Sequence, residues 1–286
     1  MSARVHALIT GGSSGIGRAL GIKLAAQGYD VSLIARRDHL LADAAKEIQR
    51  HRQRPDQRVA VYRADVSDRP QTEAAVKAAI AEFGPPDIVI ASAGISEPGY
   101  FAELSSDNFE RAMAVNYLGT LYVLRAALPS MRARRRGQIT LISSGAALMG
   151  IFGYASYGPS KFAVRGLAET LRAELRSDNI AVSIAYPPDT ETPMLEEERK
   201  TAPPETQLIC SLAKTWSADA VADCILRGIR RGAFAITPGL TLTLMHRFPG
   251  VIIPLLRWYS DHLVKGVRTS SVKAASFRAE LRESHE

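Results

Sequence analysis

The chain has 286 residues, 46% hydrophobic and 23% charged, a soluble globular composition that excludes a disordered chain. Its 36 Lys and Arg outnumber 29 Asp and Glu for a net charge of +7, but no aromatic interleaving accompanies the basic residues, which argues against a nucleic-acid partner. Cys210 and Cys224 cannot build a disulfide framework and are expected as buried small hydrophobes, and six scattered histidines lack metal-ligand spacing, so no metal is expected.

The first ten residues hold a short apolar stretch and no secretory signal. Residues 5–10 read as a strand that meets Gly11 and Gly12, followed by a helical pattern over 16–28. A second apolar run, 31–35, precedes a helix over about 38–51. Residues 59–65 alternate and lead into a helix over about 70–83. The run 87–91 is a fourth strand, and two long helical stretches follow, separated by the strand-like 138–143. The basic run Arg132, Arg134, Arg135, Arg136 reads as a solvated helix end, its cations facing the negative dipole terminus. Residues 157–176 are helical, with Leu167, Leu171 and Leu175 on one face, and 181–185 form a sixth strand. Ser217 is a candidate N-cap for a helix reaching Arg231, and 233–237 a candidate seventh strand. Residues 240–259 are apolar but carry Arg247, Arg257, Pro249 and Pro254, and an arginine at a membrane-helix centre costs about 2.5–3.5 kcal/mol. That stretch reads as a membrane-surface face, a core segment or an oligomer contact.

Strands alternating with helices imply crossover units and a parallel sheet, and strands apolar at every position imply one covered on both faces. The expected fold is therefore a single doubly wound parallel α/β domain of the Rossmann type over residues 1–239, with a C-terminal apolar extension over 240–286.

The first strand-to-helix turn reads Thr10, Gly11, Gly12, Ser13, Ser14, Gly15, Ile16, Gly17. Glycines there permit a tight turn and close backbone approach, and the helix N-terminus offers N–H groups to a pyrophosphate. The second strand ends in Arg36 and Arg37, where an NAD-binding chain places an acid for the ribose hydroxyl. A guanidinium instead pairs with a phosphate, so NADPH is the expected cofactor. Asp65 and Val66 end the third strand, placed to meet an adenine edge. Tyr157 and Lys161 lie four apart on one helix face, where an ammonium favours the phenolate and is expected to lower the tyrosine pKa. Ser143 and Ser144 end the preceding strand at the sheet's carboxyl edge, where a hydroxyl can orient a carbonyl.

Together these motifs resemble the short-chain dehydrogenase/reductase family over residues 5–239. The resemblance implies a catalytic set of Asn116, Ser144, Tyr157 and Lys161, with Ser144 preferred over Ser143 because it lies thirteen residues before the tyrosine. It implies that Tyr157 protonates the substrate oxygen, that Lys161 holds the nicotinamide ribose and tunes Tyr157, and that Asn116 supports a proton-relay water. It also implies cofactor contacts from Ala93 and Gly94, and from Pro187, Thr190 and Thr192 around the nicotinamide amide. Two departures stand out: Ala91-Ser92-Ala93-Gly94 replaces the family's Asn-Asn-Ala-Gly, and Pro187-Pro188 replaces its Pro-Gly, stiffening that loop.

The second departure, with Arg165–Glu169 and the stretch from Phe109 to Tyr122, resembles the 3-ketodihydrosphingosine reductase subfamily. That resemblance implies NADPH-dependent reduction of the 3-keto group of a long-chain sphingoid base, a lid over 193–214, and a homodimer or homotetramer pairing the helices that contain 117–131 and 157–176. The lid is acidic, with Glu196, Glu197, Glu198 and Glu205, which suits either a solvated helix or a substrate ammonium. With neither signal nor N-terminal anchor in this sequence, a cytoplasmic protein with peripheral membrane contact is expected. Two alternatives are a reductase of another lipid, steroid or acyl ketone and a catalytically silent dinucleotide-sensing protein. A structural membrane-surface protein would leave the whole catalytic set unexplained.

Overall fold

In the computed structural model residues 4–283 are described, with side chains through residue 266. Seven parallel strands form the central sheet: β1 (His6–Thr10), β2 (Asp30–Ala35), β3 (Val59–Arg63), β4 (Ile88–Ala91), β5 (Gly137–Ile142), β6 (Ile180–Ala185) and β9 (Ala235–Ile236). Their order is β3-β2-β1-β4-β5-β6-β9. The chain runs outward from β1 in one direction and returns to build from β4 in the other. The switch between β1 and β4 opens a crevice beyond the strands' carboxyl ends, where ligands bind in such sheets.

β1, β2 and β4 are buried at every position because helices cover both faces. One face packs on α1 (Gly15–Ala25), α2 (Asp38–Arg50) and α9 (Ala218–Arg230), around Leu20, Leu33, Ile48 and Ile225. The other packs on α3 (Arg69–Phe83), α5 (Gly119–Arg134) and α6 (Tyr157–Glu174), around Val76, Val123, Leu141 and Val164. Local sequence sets the helix starts: the Asp68 side chain accepts from the Gln71 N–H ahead of α3, and Ser217 caps α9 by accepting from Ala220.

The expected elements are present, with some ends shifted. β3 stops at Arg63 because Asp65 turns its carboxylate onto the Ser67 N–H and hydroxyl instead of extending the ladder. The long stretch after β4 is composite: α4 (Ser106–Ala112) runs into α5 through a π-helical segment, Met113–Leu118. The basic run ties the end of α5 down rather than only meeting solvent: Arg134 and Arg136 pair with Asp87, and Arg132 with Asp178. Cys210 and Cys224 are half-buried, not the buried hydrophobes expected; Cys210 lines the cavity beneath the helices over 193–201 and 204–211.

Four helices and a small ribbon lie over the crevice. β7 (Thr190–Glu191) pairs in parallel with β8 (Trp216–Ser217), and between them α7 (Pro193–Thr201) and α8 (Pro204–Ser211) form the lid. α10 (Leu240–Arg247) and α11 (Pro249–Glu283) follow β9. Met245, with Leu242, Ile252, Ile253 and Leu256, packs against the core, while Leu240, Phe248, Val251, Leu255 and Trp258 remain exposed. The extension is thus two-faced. Among the described residues no helix is long and apolar enough to cross a membrane.

Candidate active site

The glycine turn fits closely against β4. Gly11 has a φ of +66°, and a Cβ there would lie 2.8 Å from the Ala93 backbone. A Cβ on Gly17 would overlap the Gly11 carbonyl oxygen, so the turn holds its shape only with glycine at both positions. Thr10 lies behind the turn: its Oγ1 accepts from the Ser92 and Ala93 N–H groups at 3.2 and 3.3 Å, tying the end of β1 to the segment after β4. Gly11, Ser13, Ser14, Gly15, Ile16 and Gly17 line a cavity of about 720 Å³. The Ser14 side chain makes no capping hydrogen bond, which leaves the start of α1 open to an anion there.

Arg36, Arg37 and Val66 line the same cavity beside the end of β2. Asp65 stands behind them, its carboxylate 3.6 Å from the exposed Arg36 guanidinium. Burial opposes ionisation of Asp65, but the Ser67 hydrogen bonds and Arg36 outweigh it and hold the carboxyl below its usual range.

Tyr157 opens α6, and Lys161 follows one turn later. Both are buried, and both line the cavity. The Lys161 Nζ donates to the Ile142 carbonyl at 3.2 Å, and the Ser143 hydroxyl donates to the Lys161 carbonyl at 3.0 Å, tying α6 to the end of β5. Ser144 also lines the cavity; its Oγ accepts from the Ala146 N–H at 3.1 Å and is hydrogen-bonded to Tyr157. Asn116 lies in the π-helical segment, which swings its side chain inward. Its Oδ1 accepts from the Ile95 N–H at 2.8 Å, and its Nδ2 donates to the Ile95 carbonyl and the Ser160 hydroxyl. Gly94 is the close-approach point: a Cβ there would meet Asn116 Oδ1 at 3.1 Å and Lys161 Nζ at 3.2 Å.

The electrostatics depart from expectation. Burial pushes Tyr157 up to about 12, with the Ser144 hydrogen bond acting against it. Burial also pushes Lys161 down to about 8. The ammonium stands 5.6 Å from the Tyr157 ring centre, and the cost of charging a buried phenol dominates. Tyr157 therefore keeps its proton through neutral pH.

Above this group the loop after β6 contributes Pro187, Pro188, Asp189, Thr190 and Thr192 to the cavity wall. The Pro187 carbonyl accepts from the Gly145 N–H at 3.0 Å, and the Thr192 hydroxyl caps α7 by accepting from Leu195. Of the lid acids, Glu196 and Glu197 face solvent, whereas Glu198 and Glu205 are buried. Tyr154, Glu198 and Cys210 line the cavity, as do Met149, Leu242, Met245 and Leu256. Sequence reasoning missed Tyr154 and Asp189 and did not separate Glu198 from its neighbours. The usable signal was spacing: Leu195 and Glu198 are i, i+3 on the buried face of α7. Among the described residues no cluster of His, Cys, Asp and Glu could hold a metal ion.

Residues 5–203 match the family described as short chain dehydrogenase. The chain belongs to that family and is an oxidoreductase acting on an alcohol–ketone pair. It is 41% identical over 235 residues to a 3-dehydrosphinganine reductase of Danio rerio, covering 82% of this chain and 71% of the relative. It is 43% identical over 230 residues to a 3-ketodihydrosphingosine reductase of Mus musculus, covering 80% and 69%. Among solved structures, levodione reductase superposes with a TM-score of 0.74 at 26% identity, covering 82% of this chain and 94% of that one. An alcohol dehydrogenase from Thermococcus sibiricus complexed with 5-hydroxy-NADP gives 0.69 at 25% identity, covering 82% and 96%. The glycine turn, open helix start and buried lysine of this chain fit a nicotinamide dinucleotide. Gly17→Ala is expected to weaken binding of that dinucleotide at least about tenfold, read by equilibrium titration, because the turn must distort; unchanged affinity would show the close packing to be immaterial.

Proposed function

We propose that this chain reduces the 3-keto group of 3-ketodihydrosphingosine with NADPH as cofactor. The observation that carries the reading is one continuous cavity. It joins the glycine turn, the buried Tyr157 and Lys161, and apolar side chains from α8, α10 and α11. A long-chain ketone with its reactive end inside needs such a route, and the relatives named above act on such a ketone by name.

In this reading Thr10 holds the turn, while Gly11, Ser13, Ser14, Gly15, Ile16 and Gly17 receive the pyrophosphate. Arg36 and Arg37 take the ribose phosphate, and Asp65 and Val66 border the adenine. Ala93, Gly94, Pro187, Thr190 and Thr192 enclose the nicotinamide end, with Lys161 donating to its ribose. NADPH, when bound, supplies the hydride. Ser144 orients the ketone oxygen toward the Tyr157 hydroxyl, and Tyr157 donates its proton to that oxygen. Its raised pKa suits an acid, since the group is protonated at neutral pH and ready for reduction. Asn116 acts as a positioning residue, its side chain committed to Ile95 and Ser160, which holds Tyr157 and Lys161 in register. A homodimer or homotetramer packed through α5 and α6, working in the cytoplasm, belongs to the same reading; light scattering on the purified protein tests the assembly.

In micelles containing 3-ketodihydrosphingosine, Tyr157→Phe should lower kcat by about a thousandfold while the cofactor still binds. Arg36→Asp should weaken NADPH by about tenfold or more and leave NADH less affected. Equal use of both cofactors by the wild type would refute the NADPH assignment, and an active Tyr157→Phe enzyme would refute the proton donor.

The exposed Leu240, Phe248, Val251, Leu255 and Trp258, flanked by the exposed Arg247 and Arg257, form a face suited to an anionic bilayer at the cavity mouth. Replacing Leu255 and Trp258 by alanine should reduce sedimentation with phosphatidylserine vesicles by about tenfold. Unchanged sedimentation would dismiss that surface.

A further inference from the structure

We infer that Glu198 is the acceptor for a primary ammonium group carried on the substrate carbon next to the ketone. This rests on the sphingoid reading above, because that substrate carries an amine at that position.

The argument starts from place. Glu198 lies in the wall between the main cavity and a second one of about 400 Å³ beneath α7 and α8, and it lines both. The Tyr154 hydroxyl donates to its carboxylate, and the Tyr154 ring centre is 5.5 Å from that of Tyr157. The carboxylate is thus one tyrosine ring removed from the proton donor. A ketone oxygen held at Tyr157 leaves the neighbouring carbon's amine within a short reach of Glu198. The second cavity carries Thr206, Gln207 and Thr215, polar company for the terminal hydroxyl beyond that amine. The apolar wall from α10 and α11 lies on the main cavity and suits the hydrocarbon chain.

Charge points the same way. Glu198 is 8% exposed, and no ion pair holds it among the described residues. Glu197, beside it, faces solvent and pairs with Lys200. Arg199 is exposed and donates to the Thr215 hydroxyl. Asp189, half-buried, lines the same two cavities. Neither Glu198 nor Asp189 forms a salt bridge among the described residues; the one buried cation of the main cavity, Lys161, donates to the Ile142 carbonyl instead. Desolvation pushes Glu198 up to about 7, with the nearby Ser96 hydroxyl and the Arg199 charge acting against it. Cys210 adds no charge, since burial pushes its thiol up to about 12. An arriving ammonium supplies the missing partner as a charge-assisted hydrogen bond in a low-dielectric site.

A purely structural role is the competing explanation, because the Tyr154–Glu198 bond also latches α7 to the segment before α6. Glu198→Gln separates the two: the amide still accepts from Tyr154, and only the charge is lost. Wild type, Glu198→Gln, Glu198→Asp and Tyr154→Phe are assayed with NADPH on 3-ketodihydrosphingosine and on the same-length ketone without the amine. The preference of kcat/KM for the amino ketone should fall at least about tenfold in Glu198→Gln, mainly through KM, and be partly restored in Glu198→Asp. Tyr154→Phe, which breaks the latch and keeps the charge, should retain the preference. In equilibrium binding, N-acetylation of dihydrosphingosine should weaken its affinity for the wild type more than for Glu198→Gln. Equal losses on both ketones in Glu198→Gln, or an unchanged preference, would overturn the inference and leave the sphingoid reading standing. A wild type that reduces only the amine-free ketone would overturn both.

Discussion

The site depends on a lysine taken out of water. Lys161 is 4% exposed, at the carboxyl edge of a parallel sheet, with its ammonium on the Ile142 carbonyl. Burying an ammonium is costly, and one carbonyl offsets only part of that cost. The surrounding structure concentrates on keeping it there. α6 is pinned to β5 through the Ser143 hydroxyl, the π-helical segment turns Asn116 inward, and Gly94 has no side chain to collide with either. An ammonium with donors to spare at that point is poised for the hydroxyls of a bound nucleotide.

The same low-polarity pocket determines the state of Tyr157. Desolvation favours the phenol, with Ser144 acting against it and the Asp189 charge adding to it, and desolvation wins. A phenol that stays protonated at neutral pH is equipped to give a proton to a developing alkoxide. Burial also orders the lid. Leu195 and Glu198 turn inward together from α7, so that closing the apolar roof brings a carboxylate with it. The buried phenol and the buried carboxylate are then products of one packing arrangement.

Much of this was legible in the sequence because it rests on local chemistry. Glycines at 11 and 17 bracket a turn that tolerates nothing larger, and Tyr157 and Lys161 four apart on a helix must share a face. The unbroken apolar runs of β1, β2 and β4 forecast a sheet covered on both sides. The rest depends on tertiary placement. Nothing in the stretch from Met113 to Leu118 marks a π-helical segment. Three consecutive glutamates on α7 look alike until packing buries one of them. The sign of the Tyr157 shift is not legible in the sequence, because the charge beside it is visible there and the dry pocket is not. The basic run after α5 is exposed, as its sequence implies, but its Asp87 and Asp178 partners are remote in the chain and only the fold reveals them.

The most direct test of the central claim, a buried Tyr157 acting as the acid with a buried Lys161 behind it, is the pH dependence of kcat for reduction of 3-ketodihydrosphingosine with NADPH. Below neutrality both groups hold their protons, so kcat should be level there. It should decline as Lys161 loses its proton, from a pH of about 8, and Lys161→Met should be slow throughout with no such decline. A rate that climbs with pH through neutrality, or no reduction at any pH, would contradict the account.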